Sequence, residues 1–145
     1  MIGLIQRVSC ARVEIDKKVT SKINYGILAL IGVEKFDTEK SATKLLSRVL
    51  EYRIFADNKG KMNLSLSETN GALLLVPQFT LAANTSKGAR PSFSSAADSD
   101  KGRELFNYLV DQARLRYDKV ASGKFATDMK ISLTNDGPVT FWLQV

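Results

Sequence analysis

Alternation comes first along this chain. Ile2, Leu4, Gln6 and Val8 fall on one face, with Gly3, Ile5, Arg7 and Ser9 on the other. That period of two predicts a strand, and apolar groups on both faces imply cover on both sides. Arg7 is then either partly buried or an edge residue in solvent. Ala11, Val13 and Ile15 alternate with Arg12, Glu14 and Asp16; the Asp16-Lys17-Lys18 turn and a strand from Val19 to Asn24 complete a hairpin. Gly26 to Val33 and Ala72 to Val76 are continuous apolar runs, which read as buried central strands. Tyr52 to Phe55 reads as a short strand, followed by turn signals on either side of Met62, Leu64 and Leu66.

Two stretches switch to helical spacing. After a cap at Asp37 or Thr38, Ala42, Leu45, Leu46, Val49 and Leu50 form one apolar stripe. After Asp98 or Ser99, Leu105, Phe106, Leu109, Val110 and Ala113 form another, in a helix expected to end near Lys119. At the end of the chain, Met129, Ile131 and Leu133 alternate with polar neighbours, and Val139, Phe141 and Leu143 alternate with Thr140, Trp142 and Gln144. Asn135-Asp136-Gly137 lies between the two runs, which predicts a terminal β-hairpin. Pro138 beside that turn lacks a backbone donor; the Gly137–Pro138 bond is either an ordinary trans link or a cis tip with both carbonyls turned the same way. The expected fold is a single α+β domain over residues 1–145, with seven to nine strands in a mostly antiparallel, barrel-like sheet and two amphipathic helices outside.

Composition narrows the chemistry. The 145 residues include no histidine, which excludes Ser-His and Cys-His nucleophile pairs and every His-ligated metal site. Catalysis, if present, must rest on positioning, backbone electrostatics and groups of the substrate, or on Lys, Tyr or carboxylate acid–base chemistry. The single cysteine, Cys10, and the lack of any apolar run near the ~18 residues that span a bilayer point to a cytoplasmic protein without a membrane partner. A net charge of +6 favours polyanions. The polar 84–95 loop carries Lys87, Arg90 and Phe93, which suit either a phosphate-binding and stacking surface or plain solvent exposure.

Four stretches together resemble one family. Gln78-Phe79-Thr80-Leu81-Ala82, Asn135-Asp136-Gly137-Pro138-Val139-Thr140, Arg90-Pro91-Ser92-Phe93 and Ile5-Gln6-Arg7-Val8 occur in the order and at the chain length of the D-aminoacyl-tRNA deacylases. The resemblance implies a metal-free, cofactor-free homodimer. Such an enzyme hydrolyses the ester joining a D-amino acid to the 3′ end of tRNA and also accepts glycine. It implies that Gly137 and Pro138 form a cis-proline tip entering the partner subunit's site, where the carbonyls crowd out an L side chain, and that Arg7 holds the tip. It further implies that the Phe79 and Thr80 N–H groups stabilise the oxyanion, that Gln78 binds substrate, and that Phe125 and Met129 pack the terminal adenine. Lys87 and Arg90 are the expected tRNA contacts. The Thr80 hydroxyl as nucleophile is the lesser alternative, because the motif supplies no base. A non-catalytic RNA-binding module and a purely structural dimer are the competing functional readings. One departure stands out: Pro77 replaces the family's usual serine, a feature shared with a related animal deacylase that prefers a mis-charged L substrate. Phe79, Arg7 and Val139-Thr140 favour the D-specific branch.

Overall fold

The computed structural model describes residues 1–86 and 88–145. Its organising strand is β1 (Ile2–Ile15), one continuous run of 14 residues. β1 pairs antiparallel with β2 (Lys18–Ile23), β3 (Gly26–Gly32) and β8 (Lys130–Gln144). β3 pairs parallel with β6 (Ala72–Pro77), and β6 parallel with β7 (Val120–Ser122). A separate antiparallel ribbon joins β4 (Phe55–Ala56) to β5 (Met62–Leu64). Four of these six pairings are antiparallel, as expected. The large sheet curls until its ends meet: Ser21 Oγ of β2 donates to the Ser122 carbonyl of β7 at 2.7 Å, nearly closing a barrel.

Strand periodicity divides the apolar residues between two cores. Leu28 of β3 and Leu74 and Val76 of β6 fill the barrel interior with Val8, Ala11, Val13 and Ile23. The alternate residues Ile27, Ala29, Ile31, Leu73 and Leu75 face outward. They pack under α1 (Glu39–Glu51) and α3 (Ser99–Arg116) through the predicted stripes. Thr38 caps α1, and the Asp98 side chain caps α3 by accepting from the Lys101 N–H at 2.9 Å. Among the described residues no helix is long and apolar enough to cross a membrane.

The structure corrects the sequence expectations in four places. The terminal segment is not a hairpin: β8 runs in one direction along β1, with Cys10↔Thr134 to Glu14↔Lys130 on one side of the Asn-Asp-Gly cluster and Ile2↔Gln144 to Gln6↔Thr140 on the other. The cluster makes an outward bulge instead of a chain reversal, because both halves find the same partner. A third helix, α2 (Leu66–Thr69), forms one turn where only turn signals were read. α3 stops at Arg116 because the following chain must extend for Lys119 to accept from the Leu73 N–H and for β7 to pair with β6. Tyr52 to Ile54 stay outside the sheet, and only Phe55 and Ala56 pair.

At the start of α2, the Ser65 N–H and Oγ both donate to Glu68 Oε2 at 2.7 Å. These bonds hold the Glu68 carboxyl below its usual pKa. A depressed folded-state pKa contributes stability above the unfolded value, and this is lost as pH falls through the folded one. Thermal melts of wild type and Glu68→Gln should differ at neutral pH and converge as pH falls through the carboxylate range. A difference that persists or grows in acid would contradict this capping role.

Candidate active site at the end of strand β6

β6 ends at Pro77, where the absence of an N–H is tolerated at the strand terminus. The next residue re-enters the network: the Gln78 N–H donates to the Ile31 carbonyl at 2.7 Å. Phe79–Ala82 then forms a single 3-10 turn. Gly32 permits its close seat on β3, since a Cβ at Gly32 would lie 2.9 Å from Leu81 Cβ and 3.3 Å from the Gln78 carbonyl oxygen. Helical turns leave their first N–H groups without internal partners. Here the Phe79 and Thr80 N–H groups have no hydrogen-bond acceptor among the described residues.

These groups lie beside a cleft of about 630 Å³. Gln78, Phe79, Phe125 and Met129 all line it, so four of the expected site residues converge. Phe125 packs against α3. A Cβ at Gly102 would come within 3.1 Å of its ring, the Phe106 centroid is 6.3 Å away, and the Arg103 guanidinium lies 5.9 Å from the ring centroid. Met129 Sδ accepts from the Lys124 N–H at 3.4 Å, which fixes the opposite wall. Pro77 also lines the cleft, presenting carbon where a serine would present a hydroxyl.

Thr80 is exposed beside this wall, and its Oγ1 accepts from Gln78 Nε2 at 2.5 Å. An amide donor is no base, so the contact does not activate the hydroxyl. The 84–95 loop is pinched by a two-way backbone bridge between Asn84 and Ser92, at 2.8 and 3.0 Å. Phe93 thereby packs on Phe79, with ring centroids 5.2 Å apart, while Arg90 stays exposed on the loop. Lys87 lies outside the described residues.

Arg7, Gly137 and Pro138 form a separate feature, absent from the walls of that cleft. Gln6 pairs with Thr140 and Val8 with Asn135, so residues 136–139 all oppose Arg7 alone. The excess chain bulges out of the sheet. Arg7 is not an edge residue in solvent: its side chain is 14% exposed. Its Nε donates to the Asp136 carbonyl at 2.9 Å and its Nη1 to the Ile54 carbonyl at 2.7 Å. The Gly137–Pro138 bond is cis. Gly137 has φ +141°, and a Cβ there would meet Val139 Cγ2 at 2.6 Å and Arg7 Nη2 at 3.0 Å, so the position demands glycine. Tyr25 stands nearby; burial raises its pKa, against the opposing pull of the Arg7 charge.

Asp98, Gly102, Phe106 and Thr127 also line the cleft and were not singled out as site residues from the sequence. Asp98 and Phe106 carried other signals, a helix cap and a core stripe. Gly102 inside a helix was the available clue, since glycine there costs about 1 kcal/mol relative to alanine and implies a packing reason.

A family profile described as D-Tyr-tRNA(Tyr) deacylase matches residues 4–144. The D-aminoacyl-tRNA deacylase of Janthinobacterium sp. (strain Marseille) is 57% identical over 145 residues, covering 100% of this chain and 97% of that protein. That of Pseudomonas putida is 55% identical, with 100% of both covered. Among solved structures, the c-Myc DNA Unwinding Element Binding Protein superposes with a TM-score of 0.96 at 32% identity, covering 100% of this chain and 99% of that one. A probable eukaryotic D-amino acid tRNA deacylase shares the fold, with a TM-score of 0.86 at 17% identity over 99% and 98% of the two chains. The chain belongs to the D-Tyr-tRNA(Tyr) deacylase family, whose similar relatives carry the name D-aminoacyl-tRNA deacylase.

Proposed function

We propose that the protein hydrolyses the ester bond of D-aminoacyl-tRNA, releasing free D-amino acid and tRNA. The observation that carries this reading is the pair of unpartnered N–H groups at Phe79 and Thr80, beside a cleft in a chain without histidine. An aminoacyl ester is already activated, so a water molecule can attack once the developing oxyanion is stabilised. One such donor contributes roughly 3–4 kcal/mol in a well-studied case. The terminal adenine packs between Phe125 and Met129, Gln78 orients the substrate, and the ribose 2′-OH handles the proton. Arg90 and Lys87 meet tRNA phosphates.

Discrimination belongs to the Gly137–Pro138 tip. Because the tip lies away from the cleft of its own chain, it acts on the cleft of a partner subunit in a homodimer. Exposed apolar groups on the same strand, Trp142 at 51% and Leu133 at 37%, are consistent with a covered face. The tip's carbonyls crowd the side on which an L side chain would lie. Selection is then by exclusion, and glycyl-tRNA, with no side chain to exclude, is also hydrolysed. Nucleic-acid binding without hydrolysis is the second reading; it draws on the +6 charge and on the name of the 32%-identical structural relative.

Chelator-treated protein should hydrolyse D-tyrosyl-tRNA and leave L-tyrosyl-tRNA intact in side-by-side deacylation assays. Hydrolysis of both would remove the chirality filter, and hydrolysis of neither would favour the binding reading. Thr80→Ala should stay within about tenfold of the wild-type rate, whereas loss of a true nucleophile costs several orders of magnitude. A folded but inactive Thr80→Ala would restore the hydroxyl as nucleophile. The pH–rate profile should show no enzyme titration near pH 6.5, where histidine would act. A bell-shaped profile that persists with an accepted, N-blocked substrate would count against this.

A further inference from the structure

We infer that Asn135 is a positioning residue for the Gly137–Pro138 tip, and that its carboxamide determines how strictly L-aminoacyl esters are rejected. The inference rests on the reading that this tip screens chirality.

The bulge removes residues 136–139 from the β1 ladder, so their backbone groups need partners elsewhere. Arg7 takes the Asp136 carbonyl, which secures the upstream limb. The downstream limb has a different anchor. The Val139 N–H donates to Asn135 Oδ1 at 2.6 Å, while Asn135 Nδ2 donates to Thr140 Oγ1 at 2.9 Å. Gln6 Nε2 reaches the same Thr140 hydroxyl at 3.4 Å, tying the arrangement to β1. One side chain therefore uses both its acceptor and its donor to close the base of the bulge. The contact pattern also fixes the amide orientation, because only the oxygen can accept from an N–H. Without Asn135 the tip is held on one limb only, and a wall that works by exclusion needs both limbs held.

The test compares kcat/KM for D-tyrosyl-tRNA and L-tyrosyl-tRNA in the full-length wild type, Asn135→Ala and Asn135→Asp, with thermal melts as the folding control. The D:L ratio should fall by about tenfold or more in Asn135→Ala, the scale of one lost hydrogen bond, through faster cleavage of the L ester. Asn135→Asp keeps an acceptor for the Val139 N–H and should recover part of the ratio. A merely structural role would lower the melting temperature and leave the ratio unchanged, and a folded Asn135→Ala with the wild-type ratio would overturn the inference. Should Asn135→Ala fail to fold, Asn135→Gln, which displaces the carboxamide by one methylene, carries the same expectation and the same refutation. A wild type that cleaves D and L esters equally overturns the chirality filter and this inference together. A discriminating wild type matched by its Asn135 variants overturns only the assignment to Asn135.

Discussion

The structure depends on the hydrogen-bonding capacity of a single strand. β1 serves β3 and β8 along its first half and β2 and β8 along its second. A strand has only two edges, so every residue added or lost on one neighbour must be absorbed locally. Against β8 it is absorbed twice. Cys10 and Val8 pair with adjacent residues of β8, Thr134 and Asn135, which leaves Ser9 as an extra residue on β1; farther along, the excess lies on β8 opposite Arg7. The first irregularity shifts the alternation of β1, so that Val8, Ala11 and Val13 all enter the barrel while Ile5 faces the helices. The second pushes the Gly137–Pro138 segment out of the sheet. The barrel filling and the protruding tip are thus two results of one pairing problem.

Arg7 connects that solution to the rest of the molecule. Its guanidinium reaches the bulge and also the Ile54 carbonyl, in the segment leaving α1. The same segment carries Tyr52, whose ring meets Phe141 of β8 at 5.4 Å, and Phe55, whose ring meets Tyr25 at 5.2 Å. A planar fork with several donors can span two carbonyls in this way; a lysine ammonium would offer a point charge in place of a fixed bridge.

Much of this was legible in the sequence, for local reasons. The apolar runs of β3 and β6 are buried on both faces and read as continuous, and the stripes of α1 and α3 each bury one face whose period shows within the helix. The terminal segment was misread because Asn-Asp-Gly supports a hairpin turn and a bulge equally well. What separates them is whether the flanking halves pair with each other or with a third strand, and that partner lies at the opposite end of the chain. α2 and β7 are too short to carry a period, and tertiary neighbours decide them. In the site, the Gln78–Ala82 stretch and the tip were legible as motifs. Phe125 and Met129 came only from resemblance, since nothing local marks an aromatic and a thioether as two walls of one cleft.

The turn seated on Gly32 has a consequence for how this site is inherited. Its donors are main-chain N–H groups, which every residue except proline supplies. On the proposed mechanism, the chemistry is therefore written in the path of the backbone and not in the alphabet of side chains. Substitutions can accumulate at Phe79 and Thr80 without erasing the donors, while one methyl group at Gly32, outside the reacting centre, would displace them. If these donors act as proposed, a search for the site by side-chain truncation would find the scaffold and pass over the groups that it aims.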